Sequence, residues 1–329
     1  MRLVDGCRPW HRAERQPRQP RTRRQRLVQA GQLAGQQGQA GLAGVPAGGG
    51  IGLTGNGQGG HRRPFYVPHP SHLTLISPPA PLPAFDDNYL WWLPSAHGPV
   101  LVDPGDAAPL LQRFGDAPAL AGILLTHHHD DHIGGVPALL QRWPGTPVFA
   151  PDEPRIPFAT RRVVEGDEVD VGGFRFKVIE VPGHTRSHIA YHGHGLLFCG
   201  DALFSLGCGR MFEGDAPTMR ASLDRLAALP GDTQVCCGHE YTLANAAFAR
   251  QVMPRNPALA ERAARARAQR QAGQPTLPAV LADERACNPF LRLDDDEVQA
   301  ALTAHLGHAP ADPDAAFAAL RGWKDGFRA

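Results

Sequence analysis

The stretch Thr126-His-His-His-Asp-Asp-His132 follows the apolar run 122–125 directly and carries several potential metal ligands within a few residues. Imidazoles and carboxylates grouped beside a buried strand are costly unless they are paired or bind a cation. The stretch therefore predicts a metal site, and the alternative is a solvated polar loop that merely contains histidines. The candidate ligands are His127, His129, Asp131 and His132.

The spacing of these ligands indicates how they would share two ions. In an extended segment residues i and i+2 lie on the same side, so His127 and His129 are expected to bind one ion while His128 points away. Asp131 and His132 follow at the bend, where they would hold a second ion at the roughly 3.5–4 Å separation typical of two-metal hydrolases.

Three further segments repeat the pattern of a strand followed by a ligand. His184 lies in a Pro-Gly turn after the run 174–181, Asp201 follows Gly200 at the end of the run 195–199, and His239 follows Gly238 after the run 235–237. Side chains displayed at the ends of strands are held by a rigid sheet, and glycine lets the backbone approach an ion closely. We therefore expect all of these ligands to meet at one edge.

The motifs at 126–132, Pro-Gly-His-Thr at 182–185, Gly-Asp-Ala-Leu-Phe at 200–204 and Cys-Gly-His-Glu-Tyr at 237–241 together resemble the metallo-β-lactamase superfamily. Within it the chain is similar to the hydroxyacylglutathione hydrolases, or glyoxalase II. The resemblance runs from about Leu73 to the C-terminus and includes the segments 84–89 and 288–292.

The resemblance implies two divalent ions per chain. Zinc is the first expectation, with iron or manganese as alternatives, because imidazole and carboxylate ligands accept several first-row ions. Asp131 and Asp201 would be the catalytic residues, acting with a metal-bridging hydroxide whose parent water has its pKa lowered towards about 7. Metal 1 would be bound by His127, His129, His184 and Asp201, and metal 2 by Asp131, His132, His239 and the bridging Asp201.

The resemblance also implies a glutathione site. Some family members carry Lys and Tyr where this chain has Arg210 and Phe212, so we expect one hydroxyl contact with the substrate to be missing. Without the resemblance, the basic residues of the last predicted helix would be interpreted as solvated charges. The implied substrate-binding residues are Arg210, Phe212, Tyr241, Arg321 and Lys324.

The implied activity is that of a metal-dependent thioester hydrolase of the glyoxalase II type (EC 3.1.2.6). The substrate would be S-D-lactoylglutathione and the products D-lactate and glutathione. The alternatives are a lactonase, another thioesterase, a β-lactamase-like hydrolase, an iron-dependent persulfide dioxygenase, and a binding protein without catalysis. The C-terminal helical segment disfavours the dioxygenase, and Asp201, where many β-lactamases present Cys, disfavours the β-lactamase.

Hydrophobic periodicity predicts a mixed α/β fold, and the resemblance makes it an αββα sandwich followed by a small C-terminal α-helical domain. We expect a catalytic domain over residues 73–242 and a glutathione-binding helical domain over 243–329, with Asp294 and Asp314 at the N-termini of the last two helices. The predicted strands are 73–76, 89–93, 100–102, 123–125, 174–181 and 196–199. The predicted helices are 107–114, 136–143, 219–229, 243–252, 258–271, 294–306 and 314–327.

Composition excludes several classes of function. The net charge is +1, with 42% hydrophobic and 20% charged residues, so we expect no nucleic-acid partner. The sequence has no apolar run of the roughly 18 residues that a membrane helix needs. Its six cysteines lack framework spacing and are typical of a cytoplasmic protein. We expect a monomer.

Residues 1–72 are rich in Arg, Gln and Gly and lack apolar periodicity, which is typical of disorder. We favour a start codon assigned too far upstream over a solvated basic tail or a targeting arm. Of the remaining histidines, we interpret His188 and His192 as strand residues or supports for ligands, and His194 as solvent-facing.

Overall fold

The computed structural model describes residues 79–115 and 119–328. The expected N-terminal extension and the predicted strand at 73–76 lie outside these residues. The described residues on both sides of position 242 belong to one compact unit. No helix in the described part of the chain is long and apolar enough to cross a membrane.

The first of two six-stranded sheets is formed by the N-terminal half of the described chain. Its strands follow one another in the order of the sequence. β1, β2 and β3 are antiparallel, and β3 to β6 are parallel. The strands are β1 (Ala80–Ala84), β2 (Asn88–Leu93), β3 (Val100–Val102), β4 (Gly122–Leu124), β5 (Val148–Pro151) and β6 (Arg161–Val163).

The second six-stranded sheet has the order β14-β13-β10-β9-β8-β7. All its pairs are antiparallel except the parallel pair of β10 with β13. A separate short hairpin, β11 with β12, lies between these two strands in sequence. The strands are β7 (Glu168–Val171), β8 (Phe174–Glu180), β9 (Ile189–Gly193), β10 (Leu196–Gly200), β11 (Leu203–Phe204), β12 (Gly207–Cys208), β13 (Gln234–Cys237) and β14 (Ala279–Val280).

The central strands of the first sheet are buried on both faces, which explains why they are continuously apolar. Val102 and Leu124 pack in one cluster with Phe176 of the second sheet, whereas Leu101 and Ile123 pack in another cluster. That second cluster takes in the helices α1 (Ala108–Phe114), α2 (Asp130–Ile133) and α3 (Val136–Arg142).

Buried polar contacts tie the two sheets together. The Tyr191 hydroxyl of β9 donates to the carbonyl oxygen of Leu125 at 3.0 Å, and the Trp91 indole of β2 donates to the carbonyl oxygen of Cys237 at 3.0 Å. Both acceptors lie where a strand ends beside a ligand segment. Each bond therefore fixes one of these strand ends to the opposite sheet.

The remaining helices share the hydrophobic cluster of the second sheet. Helices, two facing sheets and further helices therefore follow in layers, and the predicted sandwich with C-terminal helices is confirmed. These helices are α4 (Ala216–Ala227), α5 (Thr242–Val252), α6 (Pro257–Gln271), α7 (Leu281–Cys287), α8 (Asp296–Leu306) and α9 (Pro313–Gly326).

Most predicted elements lie within a few residues of observed ones, but the caps of the last two helices were predicted wrongly. Asp295, not Asp294, accepts the Glu297 N–H at the start of α8. Asp312, not Asp314, accepts the Ala315 N–H at the start of α9, because Pro313 occupies the first helical position.

Several elements were not predicted at all. β1 contains two prolines, which disfavoured a strand, yet it lies at the edge of its sheet, where a missing N–H costs little. Helix α7 lies in a region where the prolines at 275, 278 and 289 predicted only breaks.

Helix α3 offers a test of the outer helical layer. Leu139 is fully buried against the first sheet, whereas Gln141 on the same helix is exposed. We expect Leu139→Ala to lower the free energy of unfolding by about 2–5 kcal/mol, because it leaves a cavity in a packed core. Gln141→Ala should change it by less than about 0.5 kcal/mol. Urea unfolding of both variants measures this, and a Leu139→Ala variant as stable as the control would contradict the packing described.

Candidate metal centre

The predicted ligands come together at one edge of the two sheets. His127 and His129 lie in the segment after β4, and α2 begins directly afterwards with the pair Asp131 and His132 in its first turn. The other three ligands each follow a strand of the second sheet. They are His184 after β8, Asp201 after β10 and His239 after β13.

The first group consists of three imidazoles. His129 Nδ1 lies 3.1 Å from His127 Nε2 and 3.0 Å from His184 Nε2. Ligand atoms at the corners of a tetrahedron around a zinc ion, with Zn–N bonds of 2.0–2.1 Å, are about 3.3 Å apart. The observed spacings therefore fit a zinc-sized ion.

The second group combines carboxylate and imidazole. Asp131 Oδ2 lies 3.6 Å from His132 Nε2 and 3.4 Å from His239 Nε2. The three residues form a second potential metal-ligating group, with ligand atoms mutually within 4.8 Å.

Asp201 lies between the two groups. Its Oδ2 is 3.4 Å from His184 Nε2 of the first group and 3.3 Å from His239 Nε2 of the second, and its Oδ1 is 3.3 Å from His132 Nε2. Asp201 therefore contacts ligands of both groups. A carboxylate in this position has the two oxygens that bridging requires.

The hydrogen bonds of four histidines determine which ring nitrogen faces the centre. In each case Nδ1 donates a hydrogen bond to an oxygen, and this contact turns Nε2 towards the centre. The Thr126 hydroxyl already donates to Asp103, so its oxygen accepts from His127. The Nδ1 pairs are His127 with Thr126 Oγ1 at 3.0 Å, His184 with the Arg210 carbonyl at 2.8 Å, His132 with Asp103 Oδ2 at 3.1 Å and His239 with Asp87 Oδ1 at 2.9 Å.

Electrostatics differ between the two groups. Burial lowers the pKa of His129 to about 4 and lowers the pKa of both His127 and His184, so the first group consists of neutral imidazoles. Burial alone would lower the pKa of His132 and His239 as well. The Asp201 carboxylate and the other neighbouring carboxylates instead raise the pKa of both, that of His239 to about 10. The second group thus attracts positive charge.

The donor set fits divalent metal ions. His132 Nε2 and Asp201 Oδ1 are buried, and neither has a hydrogen-bond partner within the described residues. Imidazole nitrogens and carboxylate oxygens that converge on one point are what a divalent cation binds, and the cation replaces the protons held there. Burial raises the pKa of the thiols of Cys199 and Cys236 and raises that of Cys237 to about 12, so these neighbouring residues stay protonated and do not compete as ligands.

Gly238 shows how closely the chain approaches this centre. A Cβ atom at this position would lie 2.6 Å from His132 Cε1 and 2.7 Å from Asp201 Oδ1. Only glycine therefore allows β13 to end beside the two ligands and still bring His239 into place.

His128 points away from the centre, as the alternation of an extended segment predicts. Its ring lies 4.0 Å from Glu153 and 3.8 Å from Glu213, and both carboxylates also pair with Arg155. This ionic cluster fills the space behind the ligand segment.

Several residues that support the ligands were missed in the sequence. Asp103 follows β3 at a left-handed backbone position, φ 48°, and its carboxylate accepts from the Thr126 N–H and the Thr126 hydroxyl. Asn88 Nδ2 donates to Asp131 Oδ2 at 2.9 Å. The strand followed by Asp103-Pro104-Gly105 was an available signal, since it repeats the pattern that identified Asp201.

Two histidines that were not predicted as ligands lie outside the ligand groups, and each accepts a hydrogen bond from a backbone N–H. His188 is fully buried, its ring stacks at 4.6 Å on that of His127, and its Nε2 accepts the Asp201 N–H at 3.1 Å. His194 is exposed, but its ring accepts the Arg175 N–H at 2.9 Å.

A cavity of about 640 Å³ opens onto the centre, and all five predicted substrate residues line it. Phe212 contacts the rings of His129 and His184 with centroids 5.6 and 5.3 Å apart, and Tyr241 stacks on His239 at 4.7 Å. Of the five candidate ligands that line the cavity, three are therefore flanked by aromatic rings.

The cavity is also lined by cationic side chains. Arg321 is buried, and its guanidinium donates to the Cys208 carbonyl at 2.8 Å and to Asp325 at 3.0 Å. Arg210 is exposed and pairs with the same Asp325 oxygen at 3.2 Å. Burial and the charges of Arg321 and Arg210 lower the pKa of Lys324. An anion placed here would relieve that repulsion.

The fold, together with the candidate ligands gathered at one edge of the two sheets, defines the class of protein. A family model for the metallo-beta-lactamase superfamily matches residues 89–239, and one for the hydroxyacylglutathione hydrolase C-terminus matches residues 240–327. The class is thus a metallo-β-lactamase fold with an added helical segment.

Curated relatives narrow the class to a family. A hydroxyacylglutathione hydrolase of Xanthomonas campestris is 58% identical over 252 residues, which cover 75% of this chain and 98% of the relative. One of Xylella fastidiosa is 54% identical over 248 residues, which cover 75% of this chain and 96% of the relative. The chain belongs to the hydroxyacylglutathione hydrolase family, whose members are also known as glyoxalase II.

Asp103 tests the tautomer argument. We expect Asp103→Asn to weaken metal binding by about 10–100-fold, because an amide cannot accept from Thr126 and His132 together and so loosens the ring of His132. The matched control is Asp106→Asn, since the Asp106 carboxylate in the same loop accepts from the Ala108 N–H. Chelator competition on the purified variants measures metal affinity directly, and equal affinity in Asp103→Asn and Asp106→Asn would contradict the assigned contacts.

Proposed function

We propose that this chain hydrolyses the thioester of S-D-lactoylglutathione to D-lactate and glutathione. The observation that carries the proposal is that one cavity is lined by members of two ligand groups, by Asp201, which contacts both groups, and by cationic side chains. Glutathione carries two carboxylates and places its thioester at a distance from them. A cavity lined by both a metal centre and cations fits both parts of such a molecule.

We propose that two divalent ions, zinc in the first instance and iron or manganese as alternatives, bind at the two groups. His127, His129 and His184 would hold one ion, Asp131, His132 and His239 the other, and Asp201 both. Bound there, the ions would supply Lewis acidity towards the thioester carbonyl and a water of lowered pKa.

The chain's own residues prepare this chemistry before any substrate arrives. The oxygens of Thr126, Asp103, Asp87 and the Arg210 carbonyl hold four imidazoles in the tautomer that turns Nε2 inward. Asn88 holds the catalytic Asp131 by its Oδ2. Such preorganisation avoids the cost of reorienting dipoles during the reaction.

The glutathione part would be recognised by the walls of the cavity. Arg210 and Lys324 offer charge to the glutathione carboxylates, and the rings of Tyr241 and Phe212 cover the path to the metal centre. Phe212 has no hydroxyl to donate, so its contribution is contact area over His129 and His184. Arg321 would act in part by holding the Cys208 carbonyl and Asp325 in place.

The remaining expectations concern organisation and location. We propose that residues 73–242 form the catalytic domain and 243–329 the glutathione-binding domain. A monomer would suffice, because one chain supplies both ligand groups and the cavity lining. The five cysteines in the described part of the chain are buried free thiols, which fits a reducing cytoplasm.

Thiol release tests the proposed activity. S-D-lactoylglutathione is incubated with the purified chain as isolated, after metal removal by a chelator, and after zinc is restored. We expect release of free thiol that is lost on chelation and recovered with zinc. A metal-loaded protein that releases no thiol would refute the proposed substrate and favour a lactone, another thioester or a persulfide.

Lys324 tests the cationic wall. We expect Lys324→Ala to raise KM for S-D-lactoylglutathione about tenfold while kcat changes little, because it removes a charge-assisted contact far from the reacting bond. Lys177→Ala is the matched control, since Lys177 lies in β8, outside the residues that line the cavity. Steady-state kinetics at fixed ionic strength measures both variants, and a fall in kcat with unchanged KM would contradict this role.

A further inference from the structure

The hairpin of β11 and β12 connects the metal centre to the cationic wall. Asp201 comes two residues before β11, and Arg210 comes two residues after β12. The Gly209 N–H donates to the Ala202 carbonyl at 3.1 Å, which closes the base of the hairpin. The geometry of its turn, residues 204–207, therefore determines where Arg210 lies relative to Asp201.

Glu284 of α7 holds one side of this turn. Its side chain is fully buried, and its carboxylate accepts the Ser205 hydroxyl at 2.8 Å and the Leu206 N–H at 2.7 Å. Leu206 has φ 61°, a left-handed conformation that is unfavourable for a branched side chain. The carboxylate thus stabilises a turn that the local sequence does not favour.

Asn288, directly after α7, holds the carbonyl side of the same turn. Its amide Nδ2 donates to the carbonyl oxygens of Phe204 at 3.2 Å and Gly207 at 3.0 Å, and it also contacts Glu284 at 3.2 Å. Its Oδ1 accepts the Phe290 N–H, so the amide orientation is determined.

Two further side chains from the C-terminal segment meet the turn. Asn245 of α5 donates to the Ser205 carbonyl at 3.0 Å, and the buried Arg262 of α6 donates to the Ser205 hydroxyl at 3.0 Å. A Cβ atom at Gly207 would lie 2.6 Å from Asn245 Nδ2, so there is no room for the turn to shift towards α5. Side chains from α5, α6 and α7, together with Asn288, therefore enclose residues 204–207.

We propose that Glu284 and Asn288 are positioning residues for glutathione recognition: through the turn at 204–207 they fix Arg210 and Phe204 in the substrate cavity. The inference rests on the proposed function in that it treats Arg210 as a glutathione contact. Both residues lie in the segment that matches the C-terminal family model, so that segment contributes to recognition indirectly as well as through its own cations.

The effect should fall on substrate binding more than on the metal centre. The Asp201 N–H is held independently by His188, and the neighbouring strand β10 is paired with β9 and β13. The Arg210 carbonyl accepts from His184 at 2.8 Å, but the exposed Arg210 side chain has no comparable anchor, since it is paired only with Asp325, which is itself half-exposed. Loosening the turn therefore displaces the Arg210 side chain before it displaces the ligands.

The test compares two substrates with the same acyl group. S-D-lactoylglutathione carries both glutathione carboxylates, and the lactoyl thioester of N-acetylcysteamine carries neither. In metal-loaded Glu284→Ala and Asn288→Ala we expect KM for the first to rise about tenfold, with kcat and metal content within about twofold of the unchanged protein. Turnover of the second should stay within about twofold.

Two more variants make the test robust. Ser205→Ala removes a single hydroxyl from the network and should raise KM for the glutathione thioester about threefold, which keeps the proposal testable if the alanine variants at 284 and 288 fail to fold. Asp283→Asn, on the same helix, breaks only an exposed ion pair with Arg265 and should leave KM unchanged.

An equal loss on both substrates, or an unchanged KM in the folded variants, would overturn the proposal. Hydrogen exchange of the metal-loaded protein gives a readout that does not depend on the substrate. We expect faster exchange over residues 203–210 in the variants and no change over 196–200, and equal exchange over 203–210 would overturn the role of the two residues in the turn. An inactive wild type whose variants still exchange faster there would refute the proposed function alone.

Discussion

The convergence of imidazole nitrogens and carboxylates at one sheet edge is the constraint on which the rest of the structure depends. Left without a cation, such groups repel each other and lose hydration. The fold meets that cost in two ways. Each of four histidines uses its outer nitrogen to donate to a fixed oxygen, and the strands that bring in Asp201 and His239 are buried and paired on both sides.

This arrangement explains why the layers are built as they are. The two sheets must be held in a fixed relation, since each supplies part of both ligand groups. The Tyr191 and Trp91 hydrogen bonds between the sheets lie close to those strand ends and serve that purpose. The glycine at 238 then permits the last ligand to come within reach of Asp201 and His132.

The C-terminal helices contribute to the site in two ways. They supply cations to the cavity through α9, and they hold the hairpin of β11 and β12 through α5, α6 and α7. The segment that carries both Asp201 and Arg210 is therefore held by short, buried contacts with these helices.

Much of this could be predicted from the sequence because the ligands are clustered and each follows an apolar run. The spacing of His127 and His129 and the Gly200-Asp201 pair indicated a shared edge, and the Ala- and Arg-rich C-terminal segments favoured helices. Asp103 was missed although it follows a strand as Asp201 does, and Asp87 was missed because a lone carboxylate in a turn has no periodic signal. The contacts of Glu284 were equally hidden, since they join residues about 80 positions apart. The caps at 294 and 314 were misplaced because several aspartates compete at each helix start.

Anomalous diffraction from crystals of the metal-loaded protein tests the central claim most directly. Our account predicts two peaks about 3.5–4 Å apart. One should be coordinated by His127, His129 and His184, the other by Asp131, His132 and His239, with Asp201 reaching both. A single ion, or an ion bound away from Asp201, would contradict the shared two-metal centre.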